Sequence, residues 1–92
     1  MIDWLESLAD RSVRARIVAR IDRLALGNAG DFASIGEGVL ELRLNFGPGY
    51  RVYYSKVGPV VLLLLCGGDK STQKKDIANA KAYLKNYSAR SA

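Results

Sequence analysis

The stretch LELRLNFGPGYRVYY, residues 40–54, alternates apolar and polar side chains on both sides of a Gly-Pro-Gly turn. Alternation with a period of two is typical of a β-strand that has one buried face. Two such runs around a short turn predict a β-hairpin, with strands near residues 39–46 and 50–56 and with Pro48 and Gly49 at the centre of a type II turn. The parity that we expect to face a core carries Leu40, Leu42, Leu44, Phe46, Tyr50, Val52 and Tyr54.

The opposite parity of the hairpin carries charged and polar side chains. Two registers preserve this parity, one with Arg43 opposite Arg51 and one with Arg43 opposite Tyr53. In either register these three side chains form one cluster on the face away from the leucines. Like charges that face each other across a ladder are mildly destabilising. Either Glu41 neutralises the arginines on a solvated strand face, or a bound anion explains them.

Helical patterns precede the hairpin. The chain looks helical from Ile2 to Leu26, and Asp10 fits a break or N-cap between a short helix and a longer one. Gly27-Asn28 is a typical C-terminal stop signal. The expected core stripe of the longer helix is Val13, Ile17, Ile21 and Leu24. A row on the adjoining flank indicates a solvated face, a nucleic-acid contact or a contact with an acidic protein, and it consists of Arg16, Arg20 and Arg23.

The remaining segments complete the predicted architecture. The four glycines within residues 27–38 predict a loop, and the apolar run 60–66 predicts a central strand covered on both faces. Ser71 or Thr72 fits the cap of a final helix that reaches about Asn86, with a frayed tail over residues 88–92. The order of elements predicts one α+β domain over residues 1–92, with N-terminal helices and a C-terminal helix packed on a small antiparallel β-sheet.

Composition limits the classes of function. The 92 residues carry 14 Lys and Arg against 9 Asp and Glu, and the resulting net charge of +5 favours a polyanionic partner. The chain has no histidine and one cysteine, which argues against a zinc site or another metal or cofactor centre. The longest apolar run is seven residues, whereas a membrane helix needs roughly 20. We therefore expect a cytoplasmic protein with no membrane segment.

A second basic segment is GGDKSTQKK, residues 67–75, which runs from a strand end into a helix start. Free backbone N–H groups and the helix dipole favour an anion at such a position. Lys70, Lys74 and Lys75 add positive charge there, which indicates an external anion unless Asp69 and Asp76 neutralise it locally. The segment lacks the spacing of a P-loop.

Arginine forks and lysine point charges without a metal suit RNA cleavage by the 2′-hydroxyl of the substrate itself. The enzyme must position that hydroxyl in line and stabilise charge on the phosphoryl oxygens. Without histidine, proton transfer would fall to Lys, Tyr or Glu side chains, and the sequence leaves this choice open.

The ordered set of segments resembles a known family. It comprises the stretch from Trp4 to Leu8, RIVARIDRLALGNAGD (16–31), GEGVLELRLNFGPGYRVYY (36–54) and LLLCGGDKSTQKKDIANAKAY (63–83). Together these resemble the RelE/ParE superfamily of toxins, and most of all the HigB-like branch of addiction-module killer proteins. The resemblance implies a toxin of a type II toxin–antitoxin system, held in a hetero-oligomer by a cognate helix-turn-helix antitoxin. It also implies ribosome-dependent, metal-independent endoribonuclease (mRNA interferase) activity, with translation inhibition and growth arrest.

The resemblance also implies roles for individual residues. Arg51 in GYRVYY matches the strand arginine that stabilises the scissile phosphate, Lys70 in GGDK matches a basic residue after the last strand, and Arg43 in ELR matches a contact to the RNA backbone. We add Tyr53 to the candidates because it shares the strand face of Arg43 and Arg51. We add Lys74 and Lys75 because they lie in the basic segment 67–75. The candidate catalytic residues are thus Arg51, Lys70 and Tyr53, and the candidate RNA-binding residues are Arg43, Lys74 and Lys75.

Two alternatives share this fold. One is a ParE-like DNA gyrase inhibitor without nuclease activity, and the other is an inactive relative that acts as a protein-interaction module. Relatives usually carry a β-strand before the helix that contains the tryptophan, whereas here Trp4 follows almost at once. Either the start of the chain is trimmed or the sheet lacks its N-terminal strand, which would leave an edge open to another chain.

Overall fold

A four-stranded antiparallel sheet in the order β1-β2-β3-β4 organises the computed structural model, which describes residues 2–58 and 62–91. This architecture confirms the predicted α+β class. Among the described residues, α1 begins at Ile2 and no strand precedes it, and none of their helices has the length and apolar character to cross a membrane. The elements are α1 (Ile2–Ser7), α2 (Arg11–Ala25), β1 (Phe32–Gly36), β2 (Val39–Leu44), β3 (Tyr50–Lys56), β4 (Leu62–Gly68), a 3₁₀ turn (Lys70–Thr72) and α3 (Gln73–Ser91).

Helices cover both faces of the sheet. The predicted apolar parity packs against α1 and α2, where Ile17 and Leu24 are the buried residues of the α2 stripe. The opposite parity packs against α3 through Ile77, Ala80 and Leu84. The strand face that carries the arginines is therefore partly covered by α3: the Arg51 side chain is 8% exposed and that of Arg43 is 39% exposed.

The β2–β3 hairpin adopts the first of the two predicted registers, with Arg43 directly opposite Arg51. Its turn differs from the prediction. The amide of Gly49 donates to the carbonyl of Phe46 at 3.1 Å, so Gly47 and Pro48 are the central residues. Gly47 has a φ of +56°, which matches the first central position of a type II′ turn, the kind that fits the twist of a hairpin.

Strand β1 occupies part of the predicted loop, so that prediction is wrong for residues 32–36. Here Gly36 pairs with Val39, and the two residues between them, Glu37 and Gly38, have φ values of +55° and +81°. Two positive φ values are what a two-residue type I′ hairpin turn requires. Of the four glycines that predict a loop, Gly36 and Gly38 therefore belong to a second hairpin, whereas Gly27 and Gly30 lie in the connection before β1.

Strand β4 is covered on both faces, as predicted, but it lies at one end of the sheet and not at its centre. The sequence pattern reports burial of the two faces and says nothing about hydrogen-bonded neighbours. The strand runs from Leu62 to Gly68, so the predicted terminating glycines are part of it, while residues 60 and 61 lie outside the described residues.

The helix ends have identifiable causes. Asp10 is the N-cap of α2, and its side chain accepts from the Ser12 amide at 2.8 Å. Asp69, and not Ser71 or Thr72, caps the 3₁₀ turn that leads into α3. Helix α3 continues through Ser91, well past Asn86; the tail predicted to fray over 88–92 is thus helical through 91, and residue 92 lies outside the described residues.

Candidate functional site

The predicted cluster of Arg43, Arg51 and Tyr53 is assembled around the carboxylate of Glu41. Arg43 Nε donates to Glu41 Oε1 at 3.0 Å, and the Tyr53 hydroxyl donates to Oε2 at 3.0 Å. Gln73, the first residue of α3, donates to the same Oε2 at 2.9 Å. Glu41 itself is 1% exposed. A single buried carboxylate therefore joins β2, β3 and the start of α3.

The electrostatics of Glu41 follow from these contacts. Burial by itself would raise the pKa of its carboxyl, but the hydrogen bonds from Gln73, Arg43 and Tyr53 outweigh burial and hold the pKa below its ordinary value. The same hydrogen bond and charge raise the pKa of the Arg43 guanidinium. Glu41 is thus a fixed negative charge in the middle of the basic cluster.

Tyr53 lies inside this network and has no exposed surface. Burial, together with the neighbouring Glu41 carboxylate, raises the pKa of its hydroxyl. A buried phenol whose proton is already donated to Glu41 is poorly placed to exchange protons with a substrate. These contacts favour a positioning role, and the catalytic role that parity predicts for Tyr53 stays a prediction.

Arg51 is held in place by backbone carbonyls. Its Nη1 donates to the carbonyls of Gly49 and Tyr50, each at 3.2 Å, and its side chain is 8% exposed. Its Nε is buried without a hydrogen-bond partner and lies 3.9 Å from Glu41 Oε1. The counter-charge of this buried guanidinium is thus the Glu41 carboxylate, which lies beyond hydrogen-bond distance of Nε.

Gly49 brings Arg51 and Lys70 together. A Cβ atom built on Gly49 would lie 3.5 Å from Arg51 Nη1 and 3.2 Å from Lys70 Cγ. The stem of the exposed Lys70 therefore packs over the glycine beside the arginine. The absence of a side chain at residue 49 leaves room for two cations on one side of the hairpin turn.

At the helix start, residues 69–76, two explanations of the lysine charge were predicted: an external anion, or local neutralisation by Asp69 and Asp76. Asp69 accepts from the Ser71 amide at 2.8 Å, and the Thr72 hydroxyl donates to Asp76, so the carboxylates serve the cap and the first turn. The ion pairs of the described residues involve Arg43, Arg51 and Lys81. The lysines at 70, 74 and 75 are exposed and are not neutralised by direct pairing within that set.

Sequence reasoning underestimated two residues. The sequence indicates Glu41 only as a neutralising neighbour and predicts no role for Gln73. For Glu41 a signal is available: it lies two residues from Arg43 and therefore on the same face of the strand. For Gln73 no signal existed, because its contact spans 32 residues and depends on how α3 docks on the sheet.

Comparison with protein-family models identifies the family of this chain. Residues 3–87 match the family described as phage-derived protein Gp49-like. A protein of Haemophilus influenzae, described as uncharacterised, is 53% identical over 78 residues, which cover 85% of this chain and 79% of that protein. No solved structure matches the chain.

Proposed function

This chain belongs to the Gp49-like family of phage-derived proteins, which is associated with toxin–antitoxin systems, and from that membership we propose that it is a toxin that cleaves mRNA on the ribosome. The segments quoted above also support membership in the RelE/ParE superfamily, in its HigB-like branch. The proposed consequences are translation inhibition and growth arrest in the cytoplasm.

The observation that carries the proposal is the pair of cations around Gly49. Arg51 is nearly buried and is fixed by two backbone carbonyls. The aliphatic part of the Lys70 side chain packs over Gly49, next to Arg51. A guanidinium presents a rigid fork that suits phosphate oxygens, and a lysine adds a point charge. A phosphodiester beside Gly49 would face both positively charged side chains.

The proposed chemistry is attack by the 2′-oxygen of the RNA on the adjacent phosphorus. The new bond forms as the bond to the 5′-oxygen breaks, which leaves a 2′,3′-cyclic phosphate and a 5′-hydroxyl. Arg51 stabilises the charge on the phosphoryl oxygens, which is the main task in such a reaction. The Lys70 ammonium protonates the leaving oxygen, and the proton of the 2′-hydroxyl passes to solvent. Arg43, Lys74 and Lys75 contact flanking phosphates.

A toxin of this kind is held inactive by a partner. We expect a cognate antitoxin, a helix-turn-helix DNA-binding protein, that forms a hetero-oligomer with this chain. The net charge of +5 favours an acidic segment in that partner, because opposite charges speed and orient association.

Induction of the wild-type chain in growing cells, followed by mapping of mRNA 5′ ends, tests the proposal. We expect growth arrest and new codon-linked ends that carry a 5′-hydroxyl. Arg51→Ala should abolish both and keep its circular dichroism spectrum, because Glu41 retains its bonds from Arg43, Tyr53 and Gln73. Arg11→Ala is the matched control, since it removes an exposed arginine of α2.

Each other outcome has a defined meaning. Intact mRNA with DNA damage would identify a gyrase inhibitor in place of a nuclease. Unimpaired growth at full expression would identify an interaction module. Cleavage that persists at the wild-type level in Arg51→Ala would overturn the site while leaving the toxin assignment in place.

A further inference from the structure

A second basic group lies on the α2 side of the hairpin turn. Its side chains line a cleft of about 320 Å³ between α2 and the turn. One of these side chains is the aromatic ring of Phe46. The lining residues are Arg16, Ala19, Arg20, Arg23, Asn45 and Phe46.

Two of the three arginines have fixed positions. The guanidinium carbon of Arg16 lies 3.7 Å from the centroid of the Phe46 ring, a cation–π arrangement. Arg20 Nη2 donates to the Ala29 carbonyl at 3.1 Å. None of the three takes part in the ion pairs found among residues 2–58 and 62–91. The cleft therefore combines uncompensated positive charge with an aromatic surface.

The hairpin turn connects this cleft to the Arg51 site. Phe46 and Gly49 are the first and last residues of one hydrogen-bonded turn, and a turn of this type brings their Cα atoms within about 7 Å. Phe46 faces the cleft, whereas Gly49 contacts Arg51 and Lys70. The arginines of the cleft and the Arg51–Lys70 pair thus lie on opposite sides of the four-residue turn 46–49.

A second link runs through Asp31. Its carboxylate accepts from Asn45, which lines the cleft, at 2.9 Å, and lies 3.9 Å from Arg43 Nη1, which belongs to the Glu41 cluster. The orientation of the cleft is therefore fixed relative to the Arg51 site by side-chain contacts as well as by the turn.

We propose that this cleft binds the single-stranded RNA that flanks the phosphate at Arg51. The proposal rests on the nuclease function proposed above. A base stacks on an aromatic ring or a guanidinium plane, and arginines hold the adjoining phosphates, which is the usual composition of single-strand sites. An acidic peptide would use the arginines but not the ring. Continuity with the Arg51 site around one turn also favours a single extended ligand.

Fluorescence polarisation of a 5′-fluorescein-labelled 12-nucleotide oligouridylate, titrated at several salt concentrations, tests the proposal. We expect the double variant Arg16→Gln with Arg23→Gln to bind more weakly. Its plot of log affinity against log salt should lose a slope of about 1.4, since each phosphate contact on a single strand contributes about 0.7. The control Arg11→Gln with Lys85→Gln removes two exposed charges outside the cleft and should keep the wild-type slope.

The variant Phe46→Leu separates stacking from charge. It should weaken binding by about fivefold or more while it keeps the wild-type salt slope, because a stacked base depends on the ring and not on counterions. Thermal unfolding followed by circular dichroism verifies that each variant is folded under the assay conditions.

The outcomes distinguish failure of this inference from failure of the proposed function. Wild-type affinity and slope in the Arg16 and Arg23 double variant would overturn the cleft, even if mRNA cleavage in cells were intact. Loss of binding to a poly-glutamate peptide, with oligouridylate binding unchanged, would also overturn it and would assign the cleft to an acidic protein. Oligouridylate binding through the cleft without any cleavage in cells would support the cleft and overturn the nuclease function.

Discussion

Arg43 lies directly opposite Arg51 across the β2–β3 ladder, and the two like charges share one counter-ion. Oε1 of Glu41 lies 3.0 Å from Arg43 Nε and 3.9 Å from Arg51 Nε. Facing arginines would destabilise an isolated hairpin. The buried carboxylate between them offsets this repulsion: it accepts a hydrogen bond from the half-exposed Arg43 and lies beside the nearly buried Arg51.

The first prediction concerns the stability that Glu41 provides. Glu41→Gln removes the charge that two arginines face and weakens three hydrogen bonds in a buried position. We expect the free energy of unfolding at neutral pH to fall by about 2 kcal/mol, the size typical of hydrogen bonds to charged groups. Urea unfolding measures the difference.

A matched control for this substitution lies in the same chain. Glu37→Gln disrupts an ion pair with Lys81 at 3.7 Å, in which the glutamate side chain is 71% exposed. Exposed pairs contribute about 0–1 kcal/mol, so this variant should unfold almost like the wild type. Equal losses in the two variants would contradict a special role of Glu41.

The second prediction is a pH dependence with a defined sign. The pKa of Glu41 is lowered from its ordinary value of 4.5, so the folded state binds fewer protons than the unfolded state in the interval between the two pKa values. The stabilisation by Glu41 is therefore complete above the ordinary pKa and is lost as the pH falls through the folded pKa.

Urea unfolding of the wild type and of Glu41→Gln, from about pH 7 down to about pH 3, follows this loss. We expect the difference in free energy between the two proteins to be constant near neutrality and to shrink below the ordinary pKa of Glu41. Comparison with the variant cancels the contributions of Asp10 and Asp69, whose carboxyl pKa values are also lowered, by hydrogen bonds from Ser12 and Ser71. A difference that grows on acidification would refute the assigned sign.

The third prediction separates positioning from catalysis at Tyr53. Tyr53→Phe removes the hydroxyl that donates to Glu41 at 3.0 Å and keeps the ring packed under α3. We expect a loss of about 1–3 kcal/mol in unfolding free energy, since a buried acceptor loses one partner.

Cleavage of mRNA by the same variant should stay within severalfold of the wild type. Loss of a general acid or base would reduce the rate by about 10²- to 10⁴-fold. Primer extension on one mRNA at matched expression levels measures this. A loss of that larger size in a fully folded Tyr53→Phe protein would support the catalytic role predicted from parity.

The strengths and failures of sequence reasoning on this chain have physical causes. The parity of residues 40–54 reports which side chains share a face, so the apolar face and the clustering of Arg43, Arg51 and Tyr53 follow directly from it. The short β1 was missed because its flanking glycines serve a turn and a loop equally well.

The candidate site was only partly accessible from sequence for a related reason. The pattern identified the polar face but not what covers it, since the docking of α3 depends on contacts between distant residues. That docking buries Glu41 and Tyr53 and brings Gln73 to the carboxylate. The proximity of Lys70 to Arg51 likewise depends on Gly49, whose role the sequence indicated only as a turn residue.

The fourth prediction concerns the close approach of α1 to β4 at Gly67. A Cβ atom built on Gly67 would lie 2.3 Å from the Trp4 ring, which is far inside van der Waals contact. The indole cannot move away freely, because it also packs edge-on against Tyr50 with the ring centroids 6.3 Å apart. We expect Gly67→Ala to displace α1 and to lower the unfolding free energy by about 1–3 kcal/mol, the range for overpacked cores.

Trp4 is the single tryptophan of the chain, so its fluorescence reports this displacement directly. In Gly67→Ala the emission should shift to longer wavelength as the ring becomes more exposed. A double-mutant cycle with Trp4→Leu supplies the control: because leucine is smaller than the indole, Gly67→Ala should destabilise the Trp4→Leu background much less than the wild type. Equal destabilisation in both backgrounds, measured by urea unfolding followed by circular dichroism, would show that the glycine is required for a reason other than the contact with Trp4.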